Sequence, residues 1–345
     1  MIRTLIVGLG LWGKTLVNSV YNKSDKINIC YGLTRTASQE AKIYAQSKGM
    51  ELLEGNYTDV IQDVDIEAVI LATPHSQHWE QVQIASKYGI NIACEKPFAL
   101  NRRDAISTIA EVEKNGVTLS VLFNRRFNPI VIEIQELIKM GKLGTIVHLE
   151  SNFSGDTALR WIKDKTSWRF NPDESPLGSM TSRGLHVVDT LVSFCGEISK
   201  VFATSGSRVL DNLDDMTSCL LWFKEGMTGY IATSNVTTPF WWLKVYGSQA
   251  TAEMRDYNTL IFHERGKEAV IRSFDDIDIE KAELEAFCDD ITKGKRFSIP
   301  KNEIINVCSF LEASALSSNS NTQIDLFEDL RGDYRHKVIG NANKA

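Results

Sequence analysis

Roughly the first 120 residues alternate between short apolar runs and segments with the period of an α-helix. The apolar runs hold four to six residues each and are rich in valine and isoleucine, which is typical of strands buried on both faces of a sheet. They predict strands at residues 4–7, 27–32, 68–72, 91–94 and 118–122. Helices are predicted at residues 11–20, 37–48, 76–88 and 101–114. This alternation predicts an α/β fold whose parallel sheet is joined by right-handed crossovers.

The pattern changes after residue 122. One helix is predicted at 128–140, and strands then follow in series, separated by turn signals such as Lys224-Glu225-Gly226. The predicted strands are 145–154, 199–207, 216–223, 227–236, 241–247, 250–255, 258–263 and 268–272. Further helices are predicted at 178–194, 279–292 and 303–317. We therefore predict two domains, residues 1–122 with the parallel sheet and residues 123–345 with a large, mostly antiparallel open sheet.

Composition narrows the class of protein. The 345 residues include 38 Lys and Arg against 44 Asp and Glu, a net charge of −6. Such a chain lacks the basic footprint that nucleic-acid and anionic-membrane binding require, so we expect neither partner. The six cysteines are irregularly spaced, and no apolar run reaches the length of a membrane helix. We expect reduced thiols and a cytoplasmic location.

A glycine-rich turn, Gly8-Leu9-Gly10-Leu11-Trp12-Gly13, follows the first predicted strand and opens the first predicted helix. In dinucleotide-binding domains the first glycine permits a tight turn, the second lets the backbone approach a pyrophosphate, and the third lets the helix pack closely. The helix N-terminus adds unpaired N–H groups. We predict a dinucleotide site that includes Gly8, Gly10, Leu11, Trp12 and Gly13. The alternative is a glycine-rich turn in a domain that binds no nucleotide.

The end of the second predicted strand bears on the choice of cofactor. NAD sites usually carry Asp or Glu about 20 residues after the glycines. This chain has Gly32-Leu33-Thr34-Arg35-Thr36 at that place, without an acid. Thr34 and Arg35 suit a 2′-phosphate, because a guanidinium donates to phosphate oxygens as a fork. We predict NADP, with NAD as the alternative if Arg35 is an exposed side chain without a ligand.

Two more segments follow predicted strands, where the carboxyl ends of a parallel sheet form a crevice. One holds Thr73 and Pro74 with His78, and the other holds Glu95 and Lys96. A lysine in such a place donates to a substrate oxygen, and poor solvation makes its proton mobile. We predict that all five residues contact the cofactor and that Lys96 also contacts the substrate.

Seven motifs occur in a fixed order along the first 190 or so residues. They are Gly8-x-Gly10-x-x-Gly13, Ala72-Thr73-Pro74 with His78, Glu95-Lys96-Pro97, Asn124-Arg125-Arg126-Phe127, Gly141-Lys142-Leu143-Gly144, Trp168-Arg169, and Gly184-Leu185-His186 with Asp189. Each is common by chance, but together and in this order they are specific. In these motifs the chain resembles the Gfo/Idh/MocA oxidoreductases.

The resemblance implies a Rossmann domain at residues 1–122 and a substrate-binding domain at residues 123–345, whose sheet mediates homodimer or homotetramer contacts. It implies hydride transfer between a nicotinamide and a carbon bearing oxygen in a sugar, cyclitol or small cyclic diol. Lys96 matches the conserved lysine of the family, and His186 matches its usual acid/base. A cis peptide bond is expected before Pro97.

The acid/base role of His186 also follows from the chemistry of the side chain, without the resemblance. Oxidation of an alcohol releases a proton as the hydride leaves, and a neutral imidazole, with an ordinary pKa of about 6.5, accepts it near neutral pH. The predicted helix 178–194 would hold the ring, and Asp189, three residues later, would lie on the same helical side. The alternative is a structural histidine.

One position departs from the family. Many members carry Asp four residues before the histidine, whereas this chain has Ser182 followed by Arg183. A carboxylate is replaced by a hydroxyl and a cation is added, so we predict that both residues contact the substrate. One hypothesis is that Arg183 binds a substrate carboxylate or phosphate. The alternative is a salt bridge from Arg183 to Asp189 or Glu174.

Three other side chains complete the predicted substrate site: Arg125, Trp168 and Arg169. A tryptophan ring packs on the apolar face of a sugar and an arginine holds hydroxyls, although a core position for Trp168 and a hinge role for Arg125 are open alternatives. The histidines and cysteines form no set with the spacing of metal ligands, so no metal is expected.

These observations predict an NADP-preferring oxidoreductase that acts on a small polar substrate, with Lys96 and His186 handling the proton. Two other functions remain open. A nicotinamide-dependent glycosidase would oxidise, eliminate and re-reduce with no net redox change, and a catalytically silent sensor would report the state of the nicotinamide to a protein partner.

Overall fold

The computed structural model describes residues 1–161 and 167–330, and the chain divides into two compact units. The first consists of Met1–Ala99, Arg103–Phe127 and Ile277–Ile304. The second consists of Leu100–Arg102, Asn128–Asp276 and the described residues from 305 onward. The boundary between residues 122 and 123 stays a prediction, and residues 331–345 of the predicted second domain lie outside the described part of the chain.

A six-stranded parallel sheet forms the first unit. Its strands are β1 (Ile2–Val7), β2 (Ile27–Thr34), β3 (Glu51–Glu54), β4 (Ala68–Leu71), β5 (Asn91–Glu95) and β6 (Leu119–Leu122). Their order is β3-β2-β1-β4-β5-β6, the doubly wound order of a Rossmann fold. The predicted α/β class and parallel sheet are confirmed, and the order reverses between β1 and β4, where such sheets bind ligands.

One strand of this sheet was not predicted. Strand β3 has the sequence Glu-Leu-Leu-Glu and lies at the sheet edge, with both leucines half-buried and both glutamates exposed. A four-residue edge strand without β-branched or aromatic residues carries almost no local signal for a strand. Its pairing with β2, from Tyr31 opposite Glu51 onward, supplies what the local sequence lacks.

Helices cover this sheet. They are α1 (Leu11–Val20), α2 (Gln39–Ser47), α3 (Tyr57–Val60), α4 (His78–Lys87) and α5 (Arg102–Asn115). Helix α1 buries Leu16, Val17 and Val20 in the core next to Ile6 of β1. This packing fixes the N-terminus of α1 directly after the carboxyl end of β1.

The second unit contains a nine-stranded sheet and several helices. The helices are α6 (Pro129–Lys139), α7 (Thr157–Trp161) and α8 (Leu185–Cys195). The strands are β7 (Ile146–Ser154), β8 (Ile198–Gly206), β9 (Met216–Phe223), β10 (Thr228–Ser234), β11 (Phe240–Gly247), β12 (Ala250–Met254), β13 (Thr259–Glu264), β14 (Val270–Ser273) and β15 (Ile324–Asp325). Their order is β14-β13-β12-β11-β7-β10-β9-β8-β15, and of these pairings β7 with β10 alone is parallel. The predicted large, mostly antiparallel sheet is confirmed.

Side chains alternate between the two faces of this sheet. Leu149 and Phe153 of β7 are buried, and α8 packs against the same strand. On the opposite face Leu220 of β9 and Tyr230 of β10 are 48% and 38% exposed and lie directly opposite each other. One face of the sheet therefore packs on helices, and the other is open and carries an exposed apolar pair.

Two helices lie between β14 and β15 in the chain, α9 (Ile279–Thr292) and α10 (Lys301–Ser320). Helix α9 belongs to the first unit, where Leu284, Phe287 and Cys288 join the core beside α1. An ion pair between Lys26 and Asp289, 2.8 Å long, ties the start of β2 to this helix. No helix in the described part of the chain combines the length and the apolar character that crossing a membrane requires.

Candidate functional site

The glycine turn lies between β1 and α1, and the packing requires glycine at two of its three glycine positions. Gly8 has φ +94°, and a Cβ there would lie 2.6 Å from the carbonyl oxygen of Ala72. A Cβ on Gly13 would overlap the carbonyl oxygen of Gly8. At Gly10 a Cβ would meet nothing within 4 Å, and Gly10 caps α1 without a side-chain hydrogen bond. The turn is thus tightly packed at its two ends and open at its centre, where a pyrophosphate would meet the free N–H groups of α1.

The two other predicted residues of the turn face different surroundings. Leu11 is 66% exposed. Trp12 is half-buried and donates a hydrogen bond from its indole Nε1 to Oε1 of Glu95, at the end of β5. The turn is therefore joined to the segment that carries Lys96.

Glu95 is the most strongly perturbed acid of this group. Its side chain is buried, and its Oε2 accepts a hydrogen bond from the backbone N–H of Lys96 at 3.1 Å. Burial raises the pKa of Glu95 to about 7, against the opposing effects of the Trp12 hydrogen bond and the Lys96 charge. The carboxyl thus changes charge near neutral pH, one residue from the predicted catalytic lysine.

The end of β2 offers groups that fit an adenosine ribose carrying phosphate. Thr34 Oγ1 is buried and has no hydrogen-bond partner among the described residues. Arg35 is exposed, and Ser38 caps α2 by accepting from the N–H of Ala41 at 3.1 Å. Residues 34–38 contain no acid. An orphaned hydroxyl beside an exposed guanidinium fits a 2′-phosphate, and the open cradle at Gly10 fits a pyrophosphate, so the residues present fit a nicotinamide dinucleotide.

The loops after β4 and β5 are tied together. Thr73 Oγ1 donates to Oε1 of Gln81 at 2.6 Å. The fully buried ring of His78 lies 2.8 Å from the carbonyl oxygen of Pro97 through Nδ1 and 3.0 Å from that of Thr73 through Nε2. The Lys96–Pro97 peptide bond is cis, as expected. Pro74 and Lys96 are half-buried, whereas His78 is buried, and its predicted contact with the cofactor stays a prediction.

In the second unit His186 lies in the first turn of α8. One π-helical turn, Met180–Gly184, precedes this helix, a feature that often marks functional sites. His186 is 8% exposed, and its ring centroid is 6.4 Å from that of Phe153 on β7. Phe153 in turn stacks on the buried Trp241 at 5.2 Å. The His186 ring thus packs against an aromatic wall formed by Phe153 and Trp241. Asp189 lies fully buried on the same helix.

Ser182 has a partner that the sequence did not indicate. Its Oγ lies 3.1 Å from Oδ1 and 3.0 Å from Nδ2 of Asn235, a residue directly after β10 that is 4% exposed. A neutral hydroxyl–amide pair therefore occupies the position where the resemblance led us to expect a carboxylate.

Arg183 packs on the segment that follows β7. Its Nη2 donates to Thr157 Oγ1, and its guanidinium lies 5.1 Å from the ring centroid of Phe153. A Cβ on Gly155 would overlap the guanidinium, so the glycine lets the cation lie flat on the backbone. The predicted substrate contact of Arg183 and the alternative salt bridge to Asp189 or Glu174 both stay predictions.

The remaining predicted residues lie on short turns. Trp168 and Arg169 are half-buried, and the guanidinium of Arg169 stacks 4.2 Å from the Trp168 ring centroid. Arg125 is half-buried on a turn whose neighbours are anchored within the first unit. Asn124 donates to Glu280 at 3.0 Å, and Arg126 pairs with Glu303 at 2.7 Å. Within residues 1–161 and 167–330, no group of three or more His, Cys, Asp or Glu side chains could hold a metal ion.

Comparison with known proteins places two long segments of the chain in one family. Residues 2–123 match the family described as "Oxidoreductase family, NAD-binding Rossmann fold", and residues 131–253 match the "GFO/IDH/MocA C-terminal domain". The fold and the glycine turn thus define an oxidoreductase with a nicotinamide-dinucleotide domain. The chain belongs to the Gfo/Idh/MocA family, and it is an NAD(P)-dependent dehydrogenase, as the sequence motifs implied.

Several relatives are enzymes of sugar metabolism by name. D-xylose 1-dehydrogenase (NADP(+)) 2 of Haloferax volcanii is 25% identical over 83% of this chain and 88% of its own length. Levoglucosan dehydrogenase of Pseudarthrobacter phenanthrenivorans is 30% identical over 46% of this chain and 40% of its own length. A solved structure of levoglucosan dehydrogenase with NADH and levoglucosan has a TM-score of 0.84 at 19% identity, covering 95% of this chain and all of the other, and supports the fold.

Proposed function

We propose that this protein is an NADP-preferring dehydrogenase that oxidises a CH–OH group of a sugar or polyol, or reduces the corresponding carbonyl. The observation that carries the proposal is the link from the glycine turn through Trp12 and Glu95 to Lys96. This link fixes a lysine at the carboxyl end of β5 relative to the turn that would hold the pyrophosphate. The names of the relatives, which act on xylose and levoglucosan, support a sugar-like substrate.

The chemistry divides between two side chains. A bound nicotinamide supplies the hydride acceptor or donor. In the oxidation direction Lys96 Nζ donates a hydrogen bond to the substrate oxygen, which lowers the energy of the developing alkoxide. The His186 imidazole accepts the hydroxyl proton and returns it in the reduction direction. The aromatic wall under His186 excludes water from one side of the ring.

The end of β2 supports the NADP preference. The buried Thr34 hydroxyl and the exposed Arg35 guanidinium suit phosphate oxygens, and residues 34–38 contain no acid to accept from a ribose 2′-hydroxyl. We expect the enzyme to use NAD less efficiently than NADP.

Turnover of a panel of aldoses, anhydrosugars and cyclitols with NADP and NAD tests the proposal, followed by absorbance of the reduced nicotinamide. We expect Lys96→Met and His186→Asn to lower kcat about 10²- to 10⁴-fold. The exposed Lys142 and His263 provide the matched controls Lys142→Met and His263→Asn. Cofactor binding without turnover of any panel member would favour the sensor, and glycoside cleavage without net reduction of cofactor would favour the glycosidase.

We also propose that the open face of the nine-stranded sheet joins copies of the chain into a homodimer or homotetramer. Leu220 and Tyr230 form an exposed apolar pair there, and Phe240 of β11 is also exposed. Light scattering on Leu220→Glu tests this, with Ile43→Glu, an exposed apolar residue of α2, as the control. An unchanged mass for Leu220→Glu would contradict the proposal.

A further inference from the structure

His78 is buried between two loops and contacts a backbone carbonyl with each ring nitrogen. Its side chain is 0% exposed. Nδ1 lies 2.8 Å from the carbonyl oxygen of Pro97, and Nε2 lies 3.0 Å from the carbonyl oxygen of Thr73. The first oxygen belongs to the loop after β5 and the second to the loop after β4. One ring therefore spans the carboxyl ends of two neighbouring strands.

The two partners determine what the ring must donate. A carbonyl oxygen only accepts hydrogen bonds, and a neutral imidazole has one N–H donor and one acceptor nitrogen. A neutral His78 would turn a lone pair toward one of the two oxygens. Only the doubly protonated imidazolium satisfies both contacts.

We propose that His78 is a positioning residue for Lys96, and that it acts as a two-donor clamp in its imidazolium form. Pro97 directly follows Lys96, so the hydrogen bond to its carbonyl fixes the backbone next to the lysine. The second hydrogen bond anchors that backbone to the Thr73 loop, which is itself held by Gln81 of α4. The proposal rests on the proposed role of Lys96 in the reaction.

The titratable groups near the clamp come from the loop after β4, from the end of β5 and from α3. The His75 ring, in the loop after β4, lies 5.9 Å from the His78 ring in an edge arrangement. Cys94, Glu95 and Lys96 lie on or directly after β5, against which α4 packs. The Tyr57 hydroxyl, at the start of α3, donates to the carbonyl oxygen of Gln81 at 3.0 Å.

Chemical rescue tests the two-donor requirement. His78→Ala should lower kcat about 10- to 100-fold, because small displacements of a catalytic group reduce rate strongly. Added imidazole should restore kcat, and so should 4-methylimidazole, which keeps two N–H groups when protonated. The isomer 1-methylimidazole has the same volume but a single N–H, and should not rescue.

The exposed His263 provides the control: His263→Ala should keep the kcat of the parent protein and should not respond to imidazole. An unchanged kcat in His78→Ala, or equal rescue by both methylimidazoles, would overturn the clamp.

Two measurements do not depend on turnover and so separate the clamp from the proposed reaction. ¹⁵N spectra of histidine-labelled protein should show both His78 nitrogens protonated, and a neutral tautomer at neutral pH would overturn the proposal even if His78→Ala does not fold. The ¹³C signal of reductively methylated Lys96, assigned with Lys96→Arg, should shift in His78→Ala and not in His263→Ala. If the sugar panel shows no turnover but both spectra behave as stated, the clamp stands and the proposed reaction fails.

Discussion

Trp12 donates a hydrogen bond from its indole Nε1 to the carboxyl of Glu95, a residue 83 positions further along the chain. The hydrogen bond joins the glycine turn after β1 to the segment after β5, across the strand β4 that lies between them in the sheet. Because the backbone N–H of Lys96 donates to the same carboxyl at 3.1 Å, one buried acid connects the pyrophosphate turn with the proposed catalytic lysine.

Replacement of Glu95 by Gln should change how stability depends on pH. Burial raises the pKa of Glu95 in the folded protein to about 7 from an ordinary 4.5. The protonated carboxyl therefore makes its full contribution to the free energy of unfolding below pH 4.5, and this contribution is lost as the pH rises through 7. Between pH 5 and pH 8 the free energy of unfolding of Glu95→Gln should therefore rise by about 2–3 kcal/mol relative to the parent protein.

Urea unfolding at the two pH values measures this difference, since groups common to both proteins cancel. The exposed Glu268→Gln controls for the loss of one carboxyl group. A constant difference between Glu95→Gln and the parent protein across this pH range would show that the carboxyl is not perturbed.

Alanine at two glycines of the turn should separate stability from cofactor binding. At Gly13 the new Cβ overlaps the carbonyl oxygen of Gly8, so the backbone must move, and we expect a loss of about 2–3 kcal/mol in unfolding free energy. At Gly10 the Cβ meets no atom within 4 Å, and the loss should stay near 1 kcal/mol, set by the poorer capping of α1.

For NADP affinity, measured on protein that remains folded, we expect Gly10→Ala to have the larger effect of the two variants. Gly10→Ala places a methyl group where a pyrophosphate would approach, and the dissociation constant should rise about 10-fold or more. Calorimetric titration and thermal melting of both variants measure the two effects. Equal losses of stability in the two variants would contradict the packing that the turn shows.

The local sequence predicted best those strands that are buried on both faces of a sheet. Strand β4, for example, is a fully buried apolar run that needs no partner to be identified. The sequence could not indicate partners that tertiary packing chooses. Ser182 was identified, but Asn235, which lies 53 residues later and pairs with it, was not. Helix α9 was predicted too, but nothing local shows that its Leu284 and Phe287 join the core beside α1.

Arg35→Ala should reduce the preference for NADP. Loss of a charge-assisted contact worth about 1.5–3 kcal/mol should raise KM for NADP about 10- to 100-fold and leave KM for NAD nearly unchanged. Steady-state kinetics with both cofactors measure the ratio. Lys42→Ala, an exposed cation on α2, controls for the general positive field. A parallel rise of both Michaelis constants would show that Arg35 does not recognise the 2′-phosphate.

Arg183 either stabilises the fold or binds an acidic substrate, and the two roles predict different kinetics. Arg183→Ala removes the hydrogen bond to Thr157 and the packing on Phe153, so either role predicts a loss of stability of about 1–2 kcal/mol. If Arg183 binds a substrate carboxylate or phosphate, the variant also loses a contact worth about 1.5–3 kcal/mol. The KM for an acidic substrate should then rise about 10- to 100-fold.

Gly155→Ala separates the two roles because it keeps the charge. Its Cβ would overlap the guanidinium, so the Arg183 side chain must move and loses its contacts with Thr157 and Phe153 while it keeps its charge. If Arg183 binds substrate, KM should rise in Gly155→Ala and in Arg183→Ala alike, while a neutral sugar is affected in neither. If Arg183 serves the fold, both variants should keep the parent KM for acidic and neutral sugars, and the loss should appear only in their melting temperatures.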